Sequence, residues 1–371
     1  MPDRSPVGFG RRETATTAGD GGSTDVPFPP GAVKLDDDIA AGLIPERAAR
    51  GHKGSFGKLL VIAGSLDYAG AALLVCRAAG RSGVGLVTLA VPESLQPLFA
   101  AKVVEATTMG LPEDDVEEVD PEPALARILD HEHDAIVVGP GLRPGLATAE
   151  LVRMLLRPAE TDSASLVLDA EALRSMATMD DWWEGERRAA VLTPHAGEFA
   201  RLRAGSGDRQ PDDGDLSADD AARLAAALDA AATWGSVVVL KGARTIIAAP
   251  DGAAAIAPFE NPALATGGTG DVLSGTIGSL LAQGLDPFAA ARLGVYLHGL
   301  AGDIGREQFG DAGVLASDLP SGLAVARKRL AAVAERRSAS KRLGFAAHRA
   351  AGASSDGPAA SPTADQPTDR T

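Results

Sequence analysis

The stretch NPALATGGTGDVLSG at residues 261–275 places three glycines and an aspartate where a polar turn runs into an apolar helical pattern. Glycines can adopt positive φ, so main-chain N–H groups can converge there, and the following helix adds its own unpaired N–H groups and positive dipole end. The pattern predicts an anion-binding cradle at Gly267, Gly268, Thr269 and Gly270. Such a cradle suits a phosphoryl group in transfer, because the charge on its oxygens needs hydrogen-bond donors.

Asp271 follows the cradle directly. A carboxylate there could accept the proton of a substrate hydroxyl as that hydroxyl attacks phosphorus, which makes Asp271 the candidate catalytic base. Aspartate is also a favoured helix N-cap, so capping is the alternative role of this residue. Three glycines within four residues exceed what a simple cap requires, and this excess favours the catalytic interpretation.

Two familiar nucleotide-binding signatures do not fit the sequence. A Walker loop needs glycine, four residues and then Gly-Lys-Ser/Thr, whereas GHKGSFGKLL at 51–60 has five intervening residues and ends in leucine. GGTGDVLSG misses the Rossmann spacing because Leu273 stands where the third glycine belongs. A nucleotide would therefore bind here in another way.

Two further segments that follow predicted strands carry candidate functional residues. KGART at 241–245 could clamp phosphates or adenine with its lysine, arginine and threonine, or it could be only a turn between two strands. In TPHAGEF, His195 and Glu198 share one face of an early helical turn. Glu198 could hold Mg²⁺ through water, or it could only complement the helix dipole. His298, in an apolar helical stretch, is interpreted as a core histidine.

The elements that must position these residues alternate regularly along the chain. Strands are predicted at 58–64, 85–91, 135–139, 165–170, 190–193, 236–242, 245–250 and 254–258, and helices at 69–82, 145–157, from 196, 217–233, 271–283, 287–306 and 317–336. Apolar strands spaced by helices predict an α/β protein with a mostly parallel sheet covered on both sides. Such sheets bind ligands beyond the carboxyl ends of their strands, where the segments above lie.

We expect one large domain at residues 33–337, because no break in composition divides this region. Residues 1–32 and 338–371 are rich in Gly, Ala, Ser, Pro and Thr without periodicity, so both are predicted to be disordered tails. Acidic residues outnumber basic ones by 50 to 35, and no basic run is present, which argues against nucleic acid as a partner. The sequence shows neither a signal-peptide pattern nor an apolar run of roughly 18 residues, so we expect a cytoplasmic protein without a membrane partner.

Seven segments then follow one another in a distinctive order: HKGSFGKLLVIAGS, AGAALLVCRAAGRSGVGLVTLAVP, VVGPGL, LVLDAEAL, LTPHAGEF, VVLKGARTII and NPALATGGTGDVLSG. Together they resemble the ADP/ATP-dependent NAD(P)H-hydrate dehydratases of the ribokinase-like superfamily, over residues of about 35 to 305. The resemblance implies a three-layer α/β/α ribokinase-like fold with a mostly parallel central sheet.

The resemblance also implies a metabolite-repair enzyme. NADH or NADPH hydrated on the nicotinamide ring (NADHX or NADPHX, in the S form) would be restored by phosphorylation of the new hydroxyl and loss of phosphate. ADP would be the donor, as in most bacterial and archaeal members, or else ATP, with Mg²⁺ near Glu198. By the same resemblance, the hydrated dinucleotide would contact Ala71, Gly141, His195 and Asp271, and the adenine nucleotide would contact Lys241, Gly242, Ala243, Arg244, Thr245 and Gly270.

Two expectations about partners come from the resemblance as well. Family members are often tetrameric, which implies a homo-oligomer. Many members carry an epimerase domain ahead of the dehydratase, whereas about 32 low-complexity residues precede the matching region here. We therefore expect a separate epimerase chain in the same pathway.

Two other functions compete with the dehydratase. A small-molecule kinase of the same superfamily, acting on a hydroxymethylpyrimidine or thiazole alcohol, would use the same cradle and base but leave the phosphate on its product. Such kinases tend to have asparagine at the position of His195, and HKGSFG at 52–57 is a dehydratase trait, so the kinase is the weaker interpretation. A nucleotide-binding regulator without turnover is the third function, and it would have no use for Asp271 as a base.

Overall fold

Most strands of the protein are apolar because they are buried on both faces. Their bounds are β1 Val33–Lys34, β2 Lys58–Ile62, β3 Leu86–Pro92, β4 Thr107–Leu111, β5 Glu113–Asp115, β6 Glu118–Val119, β7 Ala135–Val138, β8 Ser165–Leu168, β9 Ala190–Leu192, β10 Val237–Leu240, β11 Ile246–Ala248 and β12 Ala254–Ile256. The computed structural model describes residues 28–115, 117–159, 162–205 and 219–353, with side chains as far as residue 339.

Ten of these strands form one sheet in the order β1-β12-β11-β10-β9-β8-β7-β2-β3-β4, and β5 pairs with β6 in a separate hairpin. Within the large sheet, β11 is antiparallel to both β10 and β12. The remaining neighbours are parallel. The predicted α/β class with a mostly parallel sheet is therefore confirmed.

Helices cover both faces of the sheet. Their bounds are α1 Asp37–Ala41, α2 Ala69–Ser82, α3 Gln96–Ala100, α4 Pro121–Asp130, α5 Leu146–Leu156, α6 Glu171–Met176, α7 Ala196–Gly205, α8 Asp220–Trp234, α9 Thr269–Ala282, α10 Pro287–Phe309 and α11 Leu319–Ala353. Val61 of β2 faces the core layer that contains residues of α2, α9, α10 and α11. Its neighbour Ile62 faces the opposite layer, which contains residues of α4 to α8, as the two-residue period of a strand requires.

Several elements differ from the prediction. The elements that were not predicted are short, polar or acidic in sequence: β1, β4, the β5–β6 hairpin, α1, α3, α4 and α6. Burial of Ala124 and Ile128 against the second core layer stabilises α4 despite its acidic neighbours. α11 continues to Ala353, so 338–353, predicted as part of a disordered tail, is helical. The segment contains alanine, lysine and arginine, which are strong helix formers. Its low-complexity composition nevertheless suggested disorder, and the prediction was therefore wrong. The predictions for residues 1–27 and 354–371 lie outside the described residues.

Five strands that are adjacent in the sheet, β10, β9, β8, β7 and β2, end at the same edge because they run parallel. The segments that follow them therefore meet there, as the rule for open α/β sheets predicts. In the described part of the chain, no helix combines the length and the apolar character that a membrane crossing requires.

Candidate active site

Four charged or polar side chains meet at the carboxyl edge of the sheet, each brought there by a different element. Asp169 follows β8, Lys241 follows β10, Glu198 lies in the first turn of α7, and Ser274 lies in α9. Lys241 Nζ is 2.8 Å from Asp169 Oδ1 and 3.7 Å from Glu198 Oε2. Ser274 Oγ is 2.5 Å from Asp169 Oδ2. Asp169 and Glu198 are buried, so these polar groups satisfy one another instead of water.

The predicted cradle forms the first turn of α9. Gly268 is the N-cap residue and has a φ of +92°, a left-handed conformation that favours glycine. The first intrahelical hydrogen bond runs from Val272 N–H to Gly268 O at 3.3 Å, and Thr269 N–H donates to Thr266 O at 3.3 Å. Among the described residues, the amides of Gly267, Gly268, Gly270 and Asp271 have no backbone acceptor. The amide of Thr269 is engaged, and the other amides of the cradle, with that of Asp271, are therefore the free donors.

Asp271 is not the N-cap of α9, since that position belongs to Gly268. The capping alternative is therefore wrong for this carboxylate. Burial and the neighbouring charge of Asp169 raise the pKa of Asp271 to about 7, although Lys241 opposes the shift. A carboxylate with a pKa near neutral pH is a more effective proton acceptor than an ordinary aspartate, and this property suits a general base.

Lys241 remains positively charged below this turn. Burial opposes its charge, but Asp169 and Glu198, together with Asp271, hold the pKa of Lys241 above its usual value. A Cβ built on Gly270 would lie 3.4 Å from Lys241 Nζ. The ammonium group therefore lies directly against the turn that carries the free amides, where an anion would meet both.

A cavity of about 450 Å³ opens beside the cradle. Lys241 and Gly270 border it at the cradle end, and its apolar walls include Phe259, Leu264 and Val295. A volume in this range and a mostly apolar lining with a few polar groups are typical of small-molecule sites. Of the residues we expected to contact a nucleotide, Lys241, Gly242, Ala243, Thr245 and Gly270 line this cavity.

Arg244 is the exception among those residues. Its guanidinium forms ion pairs with Glu260 and with Asp220 at 3.5 Å, and it lies 4.7 Å from the centre of the Phe28 ring. These contacts engage the Arg244 side chain away from the lining of the cavity. The sequence alone could not show that Lys241 faces the cavity whereas Arg244, three residues later, forms ion pairs outside its lining.

His195 and Glu198 form a reciprocal cap on α7. His195 Nδ1 accepts from the amides of Gly197 and Glu198 at 3.1 and 3.3 Å, and Glu198 Oε2 accepts from His195 N–H at 2.9 Å. This is the arrangement of a capping box, with histidine in place of serine or threonine. Because Nδ1 accepts, a neutral His195 ring carries its proton on Nε2, which lies 3.4 Å from Glu198 Oε1, while the rest of the ring is largely exposed.

Ala71 and Gly141, the other two residues carried over as dinucleotide contacts, lie side by side. A Cβ built on Gly141 would lie 2.9 Å from that of Ala71. α2, which carries Ala71, also reaches the cradle, because Leu74 Cδ1 would lie 2.7 Å from a Cβ on Gly268. Ala71 and Gly141 therefore border the side of α9 that α2 covers.

Sequence reasoning missed three residues that complete the site. Asp169 directly follows β8, and this position after a strand was the available signal. Ser274 lies one helical turn after Gly270, on the same face of α9. His298 Nε2 donates to Thr269 O at 2.9 Å, and burial lowers the pKa of His298 to about 4, so a neutral histidine ties α10 to the cradle. It is hydrogen-bonded, as expected of a core histidine, but it also lines the cavity.

The HKGSFG segment does not join this site. It precedes β2 and so lies at the amino edge of the sheet, where Gly85 N–H donates to Phe56 O at 3.0 Å and Leu86 N–H donates to Gly57 O at 3.1 Å. These bonds link the segment to the start of β3. Its contribution is therefore to the sheet and not to the chemistry.

The described side chains supply few ligands for a metal ion. Among the residues that the structure describes, no group of three acidic, histidine or cysteine side chains could hold one. Both Glu198 oxygens already face His195, and Asp169 is engaged by Lys241 and Ser274. These residues fit Mg²⁺ only as it commonly binds beside nucleotides, with phosphate oxygens and water as ligands and Glu198 in contact through water.

Comparison with known proteins identifies relatives of this chain. A family model described as NAD(P)H-hydrate dehydratase matches residues 59–324. A bifunctional NAD(P)H-hydrate repair enzyme of Moorella thermoacetica is 42% identical over 279 residues, which are 74% of this chain and 50% of that protein. An ADP-dependent (S)-NAD(P)H-hydrate dehydratase of Xanthomonas campestris is 37% identical over 278 residues, which are 74% of this chain and 90% of that protein. The chain spans about half the length of the bifunctional relatives that it matches.

A solved structure matches the fold. The ADP/ATP-dependent NAD(P)H-hydrate dehydratase of Bacillus subtilis, co-crystallised with ATP and Mg²⁺, is 32% identical and superposes with a TM-score of 0.67. The match covers 81% of this chain and 99% of that one. The predicted ribokinase-like α/β fold is confirmed by this similarity.

Proposed function

The chain belongs to the NAD(P)H-hydrate dehydratase family, and we propose that it converts the S form of NADHX or NADPHX back to NADH or NADPH at the expense of a nucleotide. The observation that carries the proposal is the half-buried Asp271 in a helical turn with free amides, directly beside a cavity of nucleotide size. ADP is the proposed donor, because the Xanthomonas relative is named as ADP-dependent. The carbon–oxygen bond is broken without any change in redox state.

In the first step, the ring hydroxyl of the hydrate attacks the terminal phosphorus of ADP. Asp271 accepts the hydroxyl proton, and AMP leaves as the phosphorus–oxygen bond of ADP breaks. In the second step, the phosphate ester leaves as inorganic phosphate and a ring proton is lost, which restores the double bond. Phosphate is a much better leaving group than hydroxide, so the nucleotide makes an otherwise slow dehydration fast.

The transferred phosphoryl group needs a positive environment that is ready before it arrives. The free amides of Gly270 and Asp271 supply hydrogen-bond donors, the start of α9 adds its dipole, and Lys241 adds a full positive charge. His298 fixes the turn through Thr269 O. Because these groups are held by the fold, little reorganisation is needed during the transfer.

The two substrates approach α9 from different sides. The adenine nucleotide occupies the cavity lined by Lys241, Gly242, Ala243 and Thr245, with its base against the apolar wall at Phe259. The hydrated dinucleotide lies near Ala71, Gly141 and His195. Mg²⁺, held by nucleotide phosphates and, through water, by Glu198, would neutralise phosphate charge.

The domain bounds, the location and the partners of the protein are also part of this proposal. We place a single dehydratase domain at 33–337, because both core layers run through the whole sheet. A cytoplasmic location and a homo-oligomer complete the proposal.

The test is direct. Purified protein is incubated with hydrated NADH, Mg²⁺ and either ADP or ATP, and the absorbance of restored NADH is followed, with Asp271→Asn as the matched control. The proposal expects a rise that needs the nucleotide, formation of AMP from ADP, and no rise in the variant.

A flat trace with both donors would remove the dehydratase proposal. Phosphorylation of a hydroxymethylpyrimidine or thiazole alcohol by the same preparation, without restored NADH, would replace it with the kinase. Nucleotide binding without turnover of any of these compounds would replace it with the regulator.

A further inference from the structure

Asp169 uses both carboxylate oxygens within the site. Oδ1 lies 2.8 Å from Lys241 Nζ, and Oδ2 accepts from Ser274 Oγ at 2.5 Å. Asp169 is almost fully buried, with 1% of its surface exposed, so neither oxygen is free to interact with water instead. A single side chain therefore joins the end of β8 to the end of β10 and to α9.

This bridge decides where the Lys241 ammonium lies. Lysine has a long flexible stem and behaves as a mobile point charge, so its position has to be imposed by partners. Two other carboxylates act on this ammonium: Glu198, on α7, lies farther away at 3.7 Å, and Asp271 acts on it through its charge. Asp169 holds the ammonium at Gly270, whose Cβ position would be 3.4 Å from Nζ and 3.9 Å from Asp169 Oδ2.

Ser274 completes the bridge to the helix that carries the base. Its hydroxyl lies one turn below Gly270, with Oγ 3.0 Å from Gly270 O and nearer to Asp169 Oδ2. A hydroxyl donates one hydrogen, and the charged, closer carboxylate is the stronger acceptor. The first turn of α9 and the ammonium group are thereby held to the same carboxylate.

We propose that Asp169 is a positioning residue of the phosphoryl-transfer site: by bonding Lys241 and Ser274 together, it places the lysine ammonium against the free amides of α9, where the transferred phosphoryl group is received. This inference rests on the proposed function. In this proposal Asp169 acts on the transferred group through Lys241 and Ser274, which it bonds directly, and its charge also acts on Asp271.

The experiment is a double-mutant cycle on kcat with saturating ADP, using Asp169→Asn, Lys241→Met and the double variant. Removing a transition-state donor outright typically costs about 100- to 1,000-fold, and Asp169→Asn only displaces one, so we expect this variant to lower kcat by a smaller factor of about 10- to 100-fold. The KM for the hydrated dinucleotide should stay within about twofold of the parent value, because that substrate binds on the other side of α9. The double variant should be no slower than Lys241→Met alone, as expected for two residues acting as a unit.

Asp162 offers a matched control at the opposite edge of the sheet. Its carboxylate is also buried and has two side-chain partners, Arg188 and His133, the latter at 3.1 Å, and it accepts from the amide of Ala164 at 2.9 Å. Asp162→Asn removes a comparable buried charge far from the site, and its kcat should match that of the parent at a temperature where both are folded. Equal losses of kcat in Asp162→Asn and Asp169→Asn would mean that the loss reflects stability alone, and this result would overturn the proposal. Multiplicative losses of kcat in the cycle of Asp169 and Lys241 would also overturn it.

Two measurements keep the proposal testable if Asp169→Asn folds poorly or if the protein has no dehydratase activity. Ser274→Ala removes only the link to α9, and it should lower kcat several-fold without changing the KM for the dinucleotide. Calorimetric titration with ADP alone needs no turnover, and the Kd should rise about tenfold in Asp169→Asn and in Lys241→Met but not in Asp162→Asn. An inactive parent protein would remove the proposed function, whereas an unchanged Kd for ADP in Asp169→Asn would remove the positioning role.

Discussion

At the scale of single residues, the environment of Asp271 separates it from the other acidic side chains of the protein. It lies in the first turn of a helix, where the dipole favours a negative charge, yet burial and Asp169 disfavour that charge more strongly. The opposing contributions leave a carboxylate that can take up and release a proton near neutral pH. Aspartates in exposed acidic loops experience no such environment.

Asp271→Asn should abolish turnover while leaving the protein at least as stable. General base catalysis contributes typically 100- to 10,000-fold, so we expect kcat to fall by about that factor. Because the pKa of Asp271 is raised in the folded state, ionisation of this carboxyl lowers the free energy of unfolding. This loss of stability is absent below about pH 4 and complete above about pH 7. The variant should therefore be more stable by roughly 1–3 kcal/mol at pH 8, measured by urea unfolding. A variant that retains more than about a tenth of the parent kcat would contradict the role of Asp271.

The pH profile should report the same carboxylate. Because Asp271 must be ionised to accept a proton, kcat/KM for the hydrated dinucleotide should increase with pH, about tenfold per unit, up to a pKa of about 7 and then level off. Initial rates in buffers of constant ionic strength measure this profile, with spontaneous hydration and dehydration subtracted in blanks. A profile that is already flat from pH 5 upward would assign the base to another group.

At the scale of elements, the contact between α10 and the loop before α9 shapes the cavity proposed to bind the nucleotide. Gly299 of α10 has no side chain, and a Cβ there would lie 2.1 Å from Phe259 Cδ2. The Phe259 ring therefore packs directly against α10 at Gly299, with its centre 5.1 Å from that of the tilted Tyr296 ring, and it forms one wall of the cavity. A small residue on one helix thus sets the width of a site whose charged groups come from other elements.

Gly299→Ala should narrow the cavity without disturbing the chemical groups. The added methyl group displaces the Phe259 ring, and the KM for ADP should rise by about tenfold while kcat at saturating ADP changes less than about threefold. Gly80→Ala in α2 is the control, because a Cβ at Gly80 meets nothing within 4 Å. Equal KM values for ADP in the two variants would show that Phe259 does not border the bound nucleotide.

At the scale of the whole molecule, the parallel sheet and the net charge act on different properties. The sheet brings residues distant in sequence, such as Asp169 and Lys241, to one edge. The formal charge of −15 repels itself across the surface and destabilises the compact state, although it favours solubility. The positive charge of Lys241 therefore lies within a strongly acidic protein.

Added salt should stabilise the protein. Raising NaCl from about 10 mM to about 150 mM shortens the Debye length from about 30 Å to about 8 Å, which screens repulsion between surface carboxylates. We expect the Tm in calorimetry to rise by a few degrees over this range at pH 8, where the carboxylates are ionised. A Tm that falls with NaCl would mean that favourable ion pairs outweigh the repulsion.

The sequence by itself determined the fold class, most strands and helices, and the central chemical hypothesis. Apolar runs on strands report burial directly, and the bounds of α2 and the starts of α7 and α10 agree with the predicted ones. The glycines at 267–270 indicated a cradle because such a turn has local requirements that can be seen in the residues themselves. β4 and α4 were missed because tertiary packing stabilises them against weak local patterns.

Only the tertiary structure decided how the site is completed. Asp169 and Ser274 are 105 positions apart, and no local pattern in either segment indicates that the two side chains share a hydrogen bond. The same holds for the turning of Arg244 toward Glu260 and for the contact of His298 with the cradle. Burial, which depends on everything packed around a residue, also decided the proton affinity of Asp271. Local sequence specifies backbone geometry, whereas the charge state and partners of a side chain depend on contacts that only the folded chain brings together.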